Sequence, residues 1–304
     1  MTRIPSTSPR LPALRAPALG RLAGAFLVAA TLVACGGGGD GQPTAKVTST
    51  SVSATRYAAP ALLTINGTDL DNISVSSGGC KNITRLTTAP TVSTSTTAYY
   101  GCTVSGAFSS NFVIRSNNAT VGTSNTFTVP QPQVTLTVNN TQAVNGNIVI
   151  ALAGDRVPIT VDNFLYYVNT HYYDGQIFDR VVAGFVAQAG LYGPSTDDGV
   201  LPPVKPTQPP IKLETDASLL NKTGSVAMAR SQTLDSATSE FYVNLADNTN
   251  LDGSYAVFGT VTSGMDVMQS IVEAPALCTN NPLAGTIDCL PIPNAVIVTA
   301  VQSR

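Results

Sequence analysis

The sequence predicts a mainly β chain, with two consecutive β-rich parts behind an export segment. Three observations carry this. Charged residues make up only 11% of the 304 residues, while Ser, Thr, Asn, Gly and Val abound, a composition that suits β-rich exported domains better than helical bundles. Short apolar stretches are separated by Ser-, Asn- and Gly-rich breaks. Helical patterning is confined to stretches near Pro158 and Met265. The length leaves room for two domains.

Residues 1–34 read as an export signal. Arg3, Arg10, Arg15 and Arg21 form a basic start with no acid, and residues 22–34 form an apolar run too short to serve comfortably as a permanent membrane span. Taking those four charges from the formal −2 leaves about −6, so no basic footprint remains for nucleic acid. The run ends in Leu32-Val33-Ala34-Cys35, which resembles a bacterial lipobox. That resemblance implies acylation of Cys35, which becomes the new N-terminus, and makes the lipid bilayer a partner. Gly36 after the cysteine resembles the enterobacterial pattern for outer-membrane sorting. The implied location is the bacterial cell envelope, lipid-anchored at the outer membrane and facing the periplasm. Residues 35–45 contain GGGGDG and read as a flexible tether.

Residues 46–130 read as a small β-sandwich. Residues 61–65 form a strand, followed by the turn dipeptide Asn66-Gly67. Ile73 and Val75 alternate with polar residues, and residues 112–114 and 126–129 look like later strands. Residues 62–80 resemble the opening of IPT/TIG-type immunoglobulin-like modules, which implies an immunoglobulin-like spacer or binding module. Pro130-Gln131-Pro132 marks a boundary, with a second domain over residues 131–304.

Besides Cys35 there are four cysteines. Sequence alone does not choose among their three pairings; local pairs, Cys80 with Cys102 and Cys278 with Cys289, are preferred because each falls in a different part. Their spacings fit no zinc pattern.

In residues 131–304 the run 147–152 reads as a strand. Pro158 suits a helix start, and Val161, Phe164, Leu165 and Val168 form an apolar stripe behind it. A second helix is expected from about Met265 to Ile271, with Val267, Met268 and Ile271 inward. Residues 201–210 (LPPVKPTQPP) are too proline-rich for either element.

Four blocks carry the chemistry: residues 178–190 (FDRVVAGFVAQAG), 224–230 (GSVAMAR), 236–248 (SATSEFYVNLADN) and 251–261 (LDGSYAVFGTV). Their order and spacing resemble cyclophilin-type peptidyl-prolyl isomerases, most closely the bacterial periplasmic ones. The resemblance implies a closed β-barrel with two capping helices, prolyl isomerisation without cofactor or metal, and X-Pro segments of unfolded or exported proteins as substrates. By position, Arg180 matches the family's catalytic arginine and Gln188 the glutamine that bonds the substrate backbone and holds that arginine. Phe185 matches the floor of the proline pocket, Val186, Tyr242 and Leu251 its walls, and Ala229 and Arg230 the strand beside which the residues before proline lie. Plain barrel core is the competing reading of the apolar residues, and the spacing across four blocks favours the pocket.

The chemistry needs these residue types. Amide resonance holds an X-Pro bond planar behind a barrier of ~18–20 kcal/mol. In the twisted state the proline nitrogen becomes pyramidal and gains a lone pair, so a fixed cationic donor beside a dry pocket lowers the barrier. A planar guanidinium can donate there and to a second group at once.

Several positions depart from the family pattern. Val186 replaces methionine, Tyr242 phenylalanine, Tyr255 the histidine at the pocket rim, and Ala189 the first glycine of QGG. Asn250 replaces the tryptophan that favours cyclosporin, which implies weak inhibition by that drug. Glu240 replaces a glutamine and is expected to pair with Arg180 or Arg230 and compete for the charge. The reading is a peptidyl-prolyl isomerase that assists folding of exported proteins. The alternative is a catalytically weakened proline-peptide binder, acting as a chaperone or adhesin module. His171, the only histidine, reads as a surface residue, and Asp197-Asp198 read as solvated charge in a loop, with a weak calcium site the alternative. There is no phosphate-binding loop and no G-x-S-x-G elbow.

Overall fold

Strand pairing closes the second half of the chain into a barrel. The computed structural model describes residues 44–53, 55–106, 108–196, 199–281 and 286–304. The export signal, Cys35, most of the tether and Asp197-Asp198 lie outside the described residues.

Among its described residues the first part has nine strands: β1 (Lys46–Val52), β2 (Pro60–Thr68), β3 (Ile73–Ser76), β4 (Cys80–Arg85), β5 (Thr97–Val104), β6 (Ser109–Ser110), β7 (Val113–Ser116), β8 (Ala119–Thr123) and β9 (Phe127–Thr128). They form a sheet ordered β1-β2-β5-β4, a sheet ordered β3-β7-β8 and a β6-β9 pair. In β5, and in β2 from Ala61 to Ile65, every second residue is buried, including Leu63, Ile65, Tyr100 and Val104, the period of a strand with one covered face. Asn66-Gly67 is not a turn: β2 runs through it, with Gly67 paired to Val47. A Cβ on Gly67 would lie 2.0 Å from Lys46 O, so close backbone approach is what requires glycine there.

The second part contains β10 (Gln133–Asn139), β11 (Asn145–Leu152), α1 (Pro158–Asn169), β12 (Gln176–Val182), β13 (Val186–Ala189), β14 (Ser225–Met228), β15 (Phe241–Asn244), β16 (Val257–Ser263), α2 (Met265–Glu273), β17 (Ala276–Asn281), β18 (Thr286–Pro291) and β19 (Val296–Gln302). The order β12-β13-β15-β14-β16-β11-β10-β19 returns to β12, which closes eight strands. The β17–β18 hairpin continues the sheet outward from β12. Pro158 opens α1, where its missing N–H has no helical partner to lose. The stripe Val161, Phe164, Leu165, Val168 is buried, and Phe164 meets Tyr173, Phe241 and Phe258 at ring separations of 5.3, 5.3 and 4.9 Å. In α2, Val267, Met268 and Ile271 are buried. Residues 201–210 form neither helix nor strand. His171 follows α1, exposed and with φ 57°, its Nδ1 3.0 Å from Asp174 Oδ2.

The two parts pack within one compact unit, residues 42–304. Tyr57 is buried against Gly154, where a Cβ would lie 2.6 Å from the tyrosine ring. Gln302 Nε2 donates to Tyr57 O at 2.9 Å, Arg56 Nη2 donates to Gln302 O at 3.0 Å, and Lys81 pairs with Asp162. Both disulfides are local: Cys80–Cys102 joins β4 to β5, and Cys278–Cys289 joins directly opposed residues of β17 and β18.

Candidate active site

The site is built from strands whose two faces are both covered. In β13, β14 and β15 the residues Ala187, Ala189, Val226, Met228, Phe241 and Val243 belong to the main core. The alternate residues Val186, Ala227 and Tyr242 join Ala229 and Val257 in a second, smaller apolar cluster, with Phe185, Leu251 and Tyr255 packed against it. Register explains the division. Gln188 lies opposite Tyr242, and Ala227 lies opposite both Tyr242 and Val257, so these side chains share the outer face.

A β-bulge brings Arg180 to that face. Phe178 pairs with Ala189, but Arg180 pairs with Gln188, so Asp179 is an extra residue on β12. In an uninterrupted strand Phe178 and Arg180 would share a face. The bulge keeps Phe178 in the core and turns Arg180 out beside Gln188.

One cavity of about 450 Å³ collects these groups. Arg180, Gln188 and Glu240 line its polar part; Phe185, Val186, Tyr242, Leu251 and Tyr255 line its apolar part. Ala229, Arg230, Asn250 and Thr286 complete the lining. The structure therefore brings all ten residues assigned to substrate handling to one place. The Ala229 N–H already donates to Glu240 O at 2.9 Å. Arg230 stacks over Tyr255 at 4.5 Å and donates from Nε to Ser254 O at 2.9 Å, which fixes its guanidinium at the rim.

Arg180 Nη1 donates to Gln188 Oε1 at 3.2 Å, and Gln188 Nε2 donates in turn to Glu240 Oε1. Glu240 therefore does not ion-pair with Arg180 or Arg230, as its charge alone led us to expect; it sets the orientation of the Gln188 amide. Burial raises the Glu240 carboxyl above its ordinary range, opposed by the Gln188 hydrogen bond and the Arg180 charge. The carboxylate on Arg180 is instead Asp288, with Oδ2 3.1 Å from Nε.

Sequence reasoning missed Asp288, Thr286 and a polar network under the pocket. Tyr242 Oη donates to Asn221 Oδ1 at 2.8 Å, and Asn244 Nδ2 donates to the same oxygen at 3.2 Å. Asn248 Nδ2 reaches Phe185 O at 2.9 Å and Asn244 Oδ1 at 2.7 Å, while Asn221 Nδ2 donates to Asp252 Oδ1 at 3.0 Å. These buried amides hold the pocket strands from behind. At Ala189 the alanine sits in regular strand, and Gly190 has φ +98°, with Ser239 O only 2.7 Å from where a Cβ would lie.

The family model described as "Cyclophilin type peptidyl-prolyl cis-trans isomerase/CLD" matches residues 134–289. The chain belongs to this family. Peptidyl-prolyl cis-trans isomerase A of Dickeya dadantii is 46% identical to this cyclophilin over 133 residues, covering 42% of this chain and 67% of that protein. Peptidyl-prolyl cis-trans isomerase B of Escherichia coli is 40% identical over 135 residues, covering 42% and 79%. A crystal structure of a cyclophilin-type isomerase from Cryptosporidium parvum is 20% identical, covers 57% of this chain and 98% of that one, and superposes with a TM-score of 0.44.

Asp179 gives this cyclophilin a pH dependence. Its Oδ1 is buried without a hydrogen-bond partner among the described residues. Burial pushes the carboxyl up to about 8, and the nearby Glu240 charge pushes the same way. An unfolded aspartate titrates near ~4. Between about pH 4 and pH 8 the unfolded chain has lost this proton while the folded chain keeps it, so stability falls as pH rises through that window. Asp179→Asn is expected to stabilise by roughly 1–2 kcal/mol at pH 8 and to have little effect at pH 4. Urea unfolding at the two pH values checks this; an equal change at both contradicts it.

Proposed function

We propose that this cyclophilin rotates X-Pro bonds in its 450 Å³ cavity, with Arg180 and Gln188 as catalytic residues. The observation that carries the reading is the meeting of a held guanidinium with an apolar pocket. The proline ring would sit against Phe185, Val186, Tyr242 and Leu251. Gln188 Oε1 and Asp288 Oδ2 hold Nη1 and Nε of Arg180, and Nη2 has no hydrogen-bond partner among the described residues. Donation from the guanidinium to the pyramidal proline nitrogen stabilises the twisted state more than either planar state. No proton transfer and no covalent intermediate is required.

The finer reading places the enzyme in the bacterial cell envelope, anchored through acylated Cys35 and serving exported chains. Its support is the basic-apolar-Cys35 order at the N-terminus and two disulfides, which persist in oxidising compartments. Metabolic labelling with a radioactive fatty acid tests it: label should enter the chain and be lost in Cys35→Ala, and an unlabelled wild type contradicts the anchor.

A second reading, a weakened isomerase that holds proline segments, draws on Glu240 at the Gln188 amide. Glu240→Gln separates the two. Because Glu240 bonds Gln188 rather than Arg180, we expect kcat/KM to rise by no more than about fivefold. A rise of a hundredfold would show a suppressed enzyme and favour the binder.

A further inference from the structure

The β17–β18 hairpin stands outside the closed barrel, yet it delivers one group to the cavity and one to the arginine that lines it. Thr286 lines the cavity, and Asp288 Oδ2 lies 3.1 Å from Arg180 Nε. Thr286 Oγ1 also donates to Asp288 Oδ1 at 2.8 Å, which fixes the carboxylate plane. The side chains of Arg180 and Asp288 are only 24% and 19% exposed, whereas the surface pair Arg156–Asp155 is 53% and 40% exposed. A shielded pair is less screened by solvent than a surface one, and so can hold a side chain in place.

The hairpin joins the barrel ladder at one point among the described residues. Between β12 and β18 a single pair is in register, Val181 opposite Cys289. Slipping a strand by one residue turns every side chain to the other face. Such a slip of β18 along β17 would carry the Asp288 carboxylate away from Arg180. The Cys278–Cys289 disulfide joins directly opposed residues and includes the immediate neighbour of Asp288, so it forbids that slip.

We propose that Asp288 is a positioning residue for Arg180, and that the Cys278–Cys289 disulfide fixes the hairpin register that delivers it. The carboxylate takes the Nε edge of the guanidinium and Gln188 takes Nη1, which leaves one orientation and keeps Nη2 for the twisted bond. The inference rests on the catalytic reading of Arg180 given above.

The test uses the purified full chain in detergent with an Ala-Pro peptide. Asp288→Asn should lower kcat about tenfold with KM within twofold, and Asp288→Glu should recover part of the loss. Replacing Cys278 and Cys289 together by serine should lower kcat about threefold, but less than twofold further in the Asp288→Asn background, because both changes act through one contact. Serine at both Cys80 and Cys102 should leave kcat unchanged. Urea midpoints establish that each variant is folded. An unchanged or raised kcat in Asp288→Asn overturns the positioning role, and independent multiplication of the two losses overturns the role of the disulfide. Rotation of the Arg180 guanidinium about Nε–Cζ, followed by NMR, gives a readout without turnover: its signal shows slow rotation in the wild type and faster rotation in Asp288→Asn. If the protein is inactive but this signal behaves as stated, the isomerase reading fails while the Asp288 contact stands. If Arg180→Ala abolishes activity and Asp288→Asn changes nothing, the reverse holds.

Discussion

Arg180→Ala is expected to lower kcat/KM for cis-to-trans isomerisation of an Ala-Pro peptide by about 10²–10³-fold, the usual effect of removing a preorganised donor. The loss should fall mainly on kcat. The apolar side of the cavity, Phe185, Val186, Tyr242 and Leu251, is untouched by the change, so the ground-state grip on the proline ring remains. Arg180→Lys should recover little. A lysine cannot keep both the Asp288 contact at Nε and the Gln188 contact at Nη1 while still presenting a donor to the substrate. Arg180→Ala should also lower stability, because it removes the cation beside the shielded Asp288 and the partly buried Glu240, so the urea midpoint is read beside kcat. An alanine variant within threefold of the wild type would remove the guanidinium from the mechanism.

Phe164→Ala is expected to destabilise the protein by about 3–5 kcal/mol. The ring is fully buried and meets three other aromatic rings: Tyr173, Phe241 and Phe258. Two of these, Phe241 in β15 and Phe258 in β16, belong to barrel strands, so the cavity left behind would lie between α1 and the barrel. Set against a typical stability of about 5–15 kcal/mol, the loss is large enough to shift the urea midpoint by more than a molar unit. Phe164→Leu, which refills most of the volume, should recover over half of it. A loss below about 1 kcal/mol for the alanine variant would mean that α1 does not anchor the core.

The local features were legible in the sequence because they depend on spacing within a few residues. The stripe from Val161 to Val168 and the Pro158 start specify α1, and the strand 147–152 lies within β11. Phe185, Val186, Tyr242 and Leu251, named through the family resemblance of the four blocks, line one cavity. What was not legible depends on register or distant pairing. Asn66-Gly67 looks like a hairpin turn, but Gly67 is there for close approach to Lys46 O, on a strand far outside any local window. The bulge at Asp179 appears only once Arg180 is seen opposite Gln188. Asp288 reaches Arg180 through a hairpin whose cysteines had suggested only a bridge. Glu240 lines the cavity; charge alone pointed to an arginine, whereas the Gln188 amide stands as its hydrogen-bond donor.

The central claim is that this cavity catalyses rotation about an X-Pro bond, and the most direct test is the rate of cis-to-trans conversion of a short Ala-Pro peptide with and without the folded wild-type chain. Catalysis predicts a first-order rate constant that rises linearly with protein concentration above the uncatalysed value, which for prolyl bonds corresponds to tens to hundreds of seconds. A rate that stays at the uncatalysed value, with circular dichroism showing the β-rich fold intact, would contradict the account.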